Sequence, residues 1–322
     1  MNASESTLEP TSASAPDSVT VRVPAKVNVQ LAVGGRRADG FHALATVFFA
    51  VGLWDTVTAR PADGLSLTVA GRDAAVVPTD ESNLAARAAR ALAAHHGVEA
   101  NVALHIDKDI PVAGGMAGGS ADAAAALLAC DALWGLDTDR STLFALAAEL
   151  GSDVPFSLQG GVALGEGRGE VLTPVPVGGA FHWVFAVADG GLSTPAVYGE
   201  CDRLREEAAG PGGADESHVP TPAADAALLE ALASGDAAAL GAALSNDLQP
   251  AALSLRPALA ETLRVGTAAG AIGALVSGSG PTCAFLAKND AAASAVAAAL
   301  AQSGTCREVR RAQGPVPGAA LV

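Results

Sequence analysis

The chain has 322 residues, half of them apolar, so it can bury a large core, and two domains are the expectation. Its formal net charge of −15 argues against a nucleic-acid surface, since proteins that track phosphate backbones present a basic face. The balance still allows a small anion held by a few local cations and backbone N–H groups, and no apolar run is long enough to predict a transmembrane helix.

The opening segment, residues 1–18, is rich in Ser, Ala and Pro and lacks the basic and apolar regions of a signal or transit peptide, so it reads as a disordered tail. Residues 19–33 (VTVRVPAKVNVQLAV) alternate β-branched residues with others and are interrupted by Pro24, which predicts two strands or one bent strand at a sheet edge. Lys26 and Asn28 then share one face while Val27 and Val29 turn to the core. Lys26 reads either as an exposed strand lysine or as a functional cation; with only Lys26, Lys108 and Lys288 in the chain, a lysine inside a motif carries weight.

Residues 34–42, GGRRADGFH, form a loop with an Asp-Gly turn. It reads as a solvated hairpin tip or as a substrate loop in which Arg36 or Arg37 meets an anion, Phe41 stacks on a ring and His42 bonds a polar edge. Further strands follow, with Trp54 and the two phenylalanines at 48 and 49 in the core. Residues 80–96 predict a helix stopped by Gly97, with Asn83 in its first turn as a capping residue.

Residues 102–112 are the strand that feeds IPVAGGMAGGSADAAAALL, residues 110–128. Gly114, Gly115, Gly118 and Gly119 free the backbone for close approach to a ligand, and Ser120 reads as the N-cap of an alanine-rich helix whose free N–H groups point back into the loop. That combination is a cradle for phosphate. It has neither the lysine of a common P-loop nor the Gly-x-Gly-x-x-Gly frame of a dinucleotide fold.

A helical rhythm through Leu150 stops at Gly151-Ser152-Asp153-Val154-Pro155-Phe156, where Asp153 either caps a turn or is a catalytic carboxylate held on one. Residues 181–198 read as a strand, a glycine break and a loop containing Thr194-Pro195, and 205–223 as a flexible Gly/Pro-rich insertion. Helices are predicted at about 224–243, 258–269 and 290–302, with a strand-turn-strand hairpin around Ser277-Gly278-Ser279-Gly280-Pro281-Thr282 whose tip is either purely structural or approaches the first glycine loop. Four cysteines at irregular spacing fit neither a disulfide framework nor a zinc site, and a reducing cytoplasm is the default compartment.

Three pieces in order, Pro24-Ala25-Lys26-Val27-Asn28, Pro111 through Ala121, and Ser277 through Thr282, resemble the three-motif pattern of the GHMP kinases over residues 19 to 312. PAKVNVQLAVGGRRADGFHALATVFFAVGLWDTV and GSDVPFSLQGG are similar to the branch that phosphorylates the 2-hydroxyl of a cytidine-diphosphate-linked methylerythritol in the non-mevalonate route to isoprenoids. The resemblance implies a two-domain α+β fold. An ATP-binding half like ribosomal protein S5 domain 2 would span 19–176, and a ferredoxin-like half would span 177–322.

It makes Asp153 the base that receives the hydroxyl proton and Lys26 the cation beside it. Pro111, Val112, Ala113, Gly114, Gly115, Met116, Ala117, Gly118, Gly119, Ser120 and Ala121 form the ATP loop, with Asn83 close to the nucleotide and Mg²⁺ sharing the phosphate charge. Asn28, Phe41, His42, Thr194 and Pro195 take the cytidine-linked substrate. The pairing is physically sound, because a carboxylate within hydrogen-bond reach can accept a hydroxyl proton and a neighbouring ammonium favours its ionised form.

The implied partners are ATP and that alcohol, with no nucleic acid and no membrane, in a monomer or a homodimer. The sequence departs from the pattern in Phe41, where tyrosine is usual, in Ala117 and Ala121 for glycine and serine, and in Asp122 for asparagine. Another GHMP kinase acting on homoserine or a mevalonate-type alcohol, or a ligand-sensing protein of the same fold, are the alternatives. RRADGFH and GSDVPF favour the cytidine-linked substrate over the first, and the retained Lys26 and Asp153 speak against the second.

Overall fold

The computed structural model describes residues 16–112, 114–210, 219 and 221–322. The tail through residue 15, Ala113, and residues 211–218 and 220 of the expected insertion lie outside the described residues.

Two long apolar strands, β1 (Val19–Arg36) and β2 (His42–Pro61), pair antiparallel from Val19↔Ala59 to Arg36↔His42 and form the spine of the first sheet. β3 (Ser66–Gly71), a 3₁₀ turn (Ala74–Val76), α1 (Leu84–His96) and β4 (Val102–Lys108) follow, with β4 antiparallel to β2 and β3 parallel to β4. Then come α2 (Gly118–Trp134), α3 (Arg140–Leu150), α4 (Val154–Gln159), β5 (Val162–Gly167) and β6 (Val171–Pro174), the last two extending the sheet from the far end of β2. α2 is apolar nearly all round and buried accordingly, between α1, α4 and the β1–β2 spine. Its alanines keep the helix thin enough to fit there.

The second sheet is antiparallel, β7 (Phe181–Val187) at its centre. The chain continues through α5 (Thr194–Ala209), α6 (Ala226–Ser234), α7 (Ala237–Ala243), β8 (Ser245–Asn246), α8 (Gln249–Leu255), α9 (Ala258–Ala268), β9 (Gly273–Val276), β10 (Cys283–Ala287), α10 (Asp290–Ser303), β11 (Glu308–Gly314) and β12 (Ala320–Leu321). The order in this sheet is β11-β7-β10-β9. Phe49 of the first sheet meets Phe181 edge-on and Trp183 at a tilt, with ring centroids 5.8 and 5.7 Å apart, so the two sheets share one core. Two strands from the second half return to β1: β12 pairs antiparallel at Val21 and Arg22, and β8 parallel at Gln30 and Leu31.

Several expectations change. β1 is one continuous strand, not an edge: it has partners on both sides at its ends, and Pro24 sits at a bulge where the ladder shifts. The helix expected from Asp80 starts at Leu84. α2 begins at Gly118 rather than after a Ser120 cap, because Ala117 turns the chain into it from the left-handed region (φ 61°), at a cost of about 1 kcal/mol that a glycine would not incur. Thr194 and Pro195 open helix α5 rather than lying in a loop; α5 runs through Ala209, so the start of the expected insertion is helical. The helix expected over 224–243 is two, divided at Gly235 (φ 73°), with Asp236 capping the second. α4 and α8 are short helices hidden by their prolines, which occupy first-turn positions where no N–H is required. Among the described residues no helix is long and apolar enough to cross a membrane.

Candidate active site

Lys26 and Asn28 project from the same face of β1, as their spacing predicts, while Val27 and Val29 are fully buried on the other. Their own face is closed too. Lys26 Nζ donates to Asn28 Oδ1 at 2.6 Å, Asn28 Nδ2 donates to Thr46 Oγ1 at 2.8 Å, and Thr46 Oγ1 donates to the Gln30 carbonyl at 2.8 Å. Asn28 is thus locked with its oxygen on the ammonium. Asp153 Oδ2 lies 3.3 Å from Lys26 Nζ. Asp153 occupies the N-cap position of α4 but makes no side-chain cap bond, so its carboxylate, about one-third exposed, is left for Lys26 and for a ligand. Of its two sequence readings, the capping one is not realised.

Two glycine loops meet above this pair. A Cβ built on Gly115 (φ 73°) would stand 2.2 Å from the Ser277 carbonyl, and one on Gly278 (φ 56°) would crowd Asn28 Oδ1 at 3.2 Å and Lys26 Nζ at 3.5 Å. Ser277 Oγ donates to the Gly115 carbonyl at 3.0 Å, and Lys26 N donates to the Met116 carbonyl at 3.3 Å. The tip of the β9–β10 hairpin therefore does approach the first glycine loop and helps to position it. Thr194 and Ser279 hydroxyls, 2.9 Å apart, tie the start of α5 to the same tip.

These parts enclose a cavity of about 760 Å³. One wall is the glycine loop and the start of α2, the floor is Lys26, Asn28 and Asp153, and the far wall is the 36–42 loop with α5. On that wall His42, buried, meets Asp202 Oδ1 through Nε2 at 2.8 Å and stacks on Tyr198 with ring centroids 5.0 Å apart. Burial pushes the Tyr198 phenol up, with the Asp153 carboxylate adding to the shift. Phe41 is half exposed with the Arg168 guanidinium 5.2 Å above its ring. The two loop arginines already have partners, Arg36 in Asp202 at 2.9 Å and Arg37 in Asp39 at 3.0 Å.

Beneath the first turn of α2 is a buried charge cluster. Lys108 Nζ, at the end of β4, donates to Asp55 Oδ2 of β2 at 2.5 Å and to Asp122 Oδ2 of α2 at 2.7 Å. Asp55 Oδ1 also accepts the backbone N–H groups of Asp109 and Ile110, at 2.6 and 2.9 Å, so this carboxylate shapes the corner that leads into the glycine loop. Asp122 Oδ1 has no partner. Burial raises the Asp122 carboxyl to about 7 against the opposing pull of Lys108, and Asp55 pushes in the same direction as burial.

The cavity thus gathers Lys26, Asn28, Phe41, His42, Gly114, Gly115, Ala117, Gly118, Gly119, Ser120, Asp153, Thr194 and Pro195. Pro111, Val112, Met116 and Ala121 do not line it; Met116 and Ala121 are fully buried behind the loop. Nor does Asn83. Its Oδ1 caps α1 through Ala85 N at 2.9 Å and its Nδ2 donates to the Pro78 carbonyl at 2.7 Å, while the adjacent Leu84 reaches the cavity. Sequence reasoning missed Tyr198, Arg168 and Asp202. Tyr198 is the chain's single tyrosine, and once Pro195 is seen to start a helix, 195, 198, 199 and 202 fall on one face, i, i+3, i+4, i+7.

Among the described residues no group of three or more His, Cys, Asp or Glu side chains is placed to hold a metal ion, and Asp153 is the one carboxylate on the cavity wall. The arrangement pairs a carboxylate and an ammonium with an anion cradle on one side and an aromatic recess on the other. It is suited to moving a phosphoryl group between two bound molecules.

Two family models match the chain: GHMP kinases N terminal domain over residues 83–161 and GHMP kinases C terminal over residues 228–306. Over 305 residues the chain is 67% identical to a 4-diphosphocytidyl-2-C-methyl-D-erythritol kinase of Streptomyces avermitilis, covering 95% of this chain and 100% of the relative. It is 64% identical over 306 residues to the enzyme of the same name from Streptomyces coelicolor, covering 95% and 99%. The crystal structure of a 4-(cytidine 5'-diphospho)-2C-methyl-D-erythritol kinase matches with a TM-score of 0.72 at 34% identity, covering 91% of this chain and 98% of that one. A homoserine kinase from Cytophaga hutchinsonii has the same TM-score, 0.72, at 20% identity, covering 98% and 100%, a likeness of fold alone.

Proposed function

The chain belongs to the 4-diphosphocytidyl-2-C-methyl-D-erythritol kinases, a branch of the GHMP kinases, and from that premise we propose how its residues move the γ-phosphate of ATP to the 2-hydroxyl of the cytidine-linked alcohol. The observation that carries the proposal is the Lys26–Asp153 pair, 3.3 Å apart, on the floor of a cavity shared by a phosphate cradle and an aromatic recess.

The nucleotide's phosphates lie against the Gly114–Ser120 loop and the first N–H groups of α2, where the helix dipole adds to the hydrogen bonds. The acceptor alcohol reaches from the recess of Phe41, His42 and Tyr198 to the floor, its 2-hydroxyl on Asp153. Asp153 takes the hydroxyl proton as the oxygen attacks phosphorus. Lys26, fixed by Asn28, offsets charge on the phosphoryl group in flight. Mg²⁺ would be held chiefly by the phosphates of ATP, where it would share their charge. The four cysteines are free, which suits a reducing cytoplasm.

An ADP-release assay across the cytidine-linked alcohol, homoserine and mevalonate tests the reading. Turnover is expected with the first alone; binding of that alcohol without ATP consumption would favour a sensor instead. Tyr198→Ala is expected to raise KM for the cytidine-linked alcohol by about tenfold, the worth of one ring stack, with the KM for ATP much less affected. Equal changes in the two KM values would remove Tyr198 from the acceptor's recess.

A further inference from the structure

The charge cluster under α2 has no part in the proton transfer above, yet it abuts the phosphate loop. A Cβ built on Gly118, the first residue of α2, would stand 3.2 Å from Lys108 Nζ. The ammonium therefore lies directly behind the N–H groups offered to phosphate. Its two carboxylates are not equivalent: Asp55 has three donors, and Asp122 has one, with Oδ1 bare and the residue 2% exposed. The charged groups acting on Asp122 are Lys108 from β4 and Asp55 from β2. The buried faces of α1, α3 and α4 carry no ionisable group, and Lys26 of β1 is engaged with Asn28 and Asp153.

We propose that Asp122 is a positioning residue of the phosphate loop that takes up a proton on its carboxyl when the polyphosphate of ATP docks. With both carboxylates ionised, one ammonium and two carboxylates leave a net negative charge behind the cradle. One proton drawn from the buffer, forming a single O–H bond, makes the cluster neutral and leaves the Lys108 charge uncancelled by Asp122. Docking of an anion and protonation of Asp122 then favour each other, as linkage requires. Asparagine here would hold the neutral state permanently; aspartate makes nucleotide affinity respond to pH.

The inference rests on the glycine loop being the phosphate cradle, and the experiment separates the two. Steady-state KM for ATP and kcat are measured from about pH 6 to about pH 8.5 for the wild type and Asp122→Asn. The wild-type KM for ATP is expected to rise with pH by about fivefold or more beyond the rise in the variant, which carries ATP's own titration as a baseline; the kcat profiles are expected to stay parallel. Parallel KM profiles overturn the proposal.

A second readout needs no variant. The infrared difference spectrum of the wild type near pH 7.5, on addition of a non-hydrolysable ATP analogue, is expected to gain the band of a buried protonated carboxyl, and its absence overturns the proposal even if Asp122→Asn does not fold.

Gly119→Asp tests the cradle itself. A Cβ there meets only Leu84 Cδ1, at 3.7 Å, and an acid in the first helical turn suits α2, so the fold tolerates it. The KM for ATP is expected to rise about tenfold or more at every pH. An unchanged KM removes the cradle reading; a raised KM together with parallel wild-type and Asp122→Asn profiles removes the Asp122 inference alone.

Discussion

Asp153→Asn is expected to lower kcat by about 10²–10⁴-fold with the KM for ATP little changed. The amide is nearly isosteric, and since Asp153 makes no cap bond in α4, the exchange removes no helix-terminal hydrogen bond. The substitution takes away the acceptor of the hydroxyl proton and the negative partner of Lys26 3.3 Å away. The cradle on the other side of the cavity is untouched, so nucleotide binding persists, and the loss falls on an interaction made as the hydroxyl becomes a nucleophile. Single-turnover phosphoryl transfer to the cytidine-linked alcohol is the measurement. Retention of more than about a tenth of wild-type kcat would mean that another group receives the proton.

Lys108→Met carries the largest expected cost in stability, about 3–5 kcal/mol. Its side chain is 1% exposed, and the two carboxyls it joins are 0% and 3% exposed, so the substitution leaves the Asp55 carboxylate buried beside Asp122 with no cation to offset it. The pair of carboxylates raises the Lys108 ammonium despite burial, which keeps it charged in the folded chain. Adding Asp55→Asn and Asp122→Asn to Lys108→Met removes the stranded carboxyls and is expected to regain a large part of the loss in a denaturant titration. A single Lys108→Met variant within about 1 kcal/mol of the wild type would show that the cluster is neutral in the folded state.

Much of this site was legible because its chemistry follows local periodicity. Lys26 and Asn28 share a face by the two-residue repeat of a strand, and the glycine loop follows its strand and precedes its helix as the sequence order requires. What the sequence hides depends on partners far along the chain. Pro24 suggested an edge, but an edge is defined by what pairs with it, and the strands that flank β1 come from residues 245–246 and 320–321. Pro155 reads as a helix stop and Pro195 as part of a loop, yet each falls in the first turn of a helix, where the missing N–H costs nothing. The Lys108 cluster could not be found by spacing either, since residues 55, 108 and 122 are joined only by the packing of β2, β4 and α2.

The two returning strands have a consequence for how the protein is made. β1 leaves the ribosome long before β12, so its pairing at Val21 and Arg22 waits for Ala320 and Leu321. During synthesis the strand bearing Lys26 keeps an open edge while the whole second half is translated, a long-range closure that slows folding and exposes the nascent chain to mispairing. The first sheet is thus completed only by a strand from the second half, and a ribosome-bound chain stalled before β12 is expected to present that edge to chaperones.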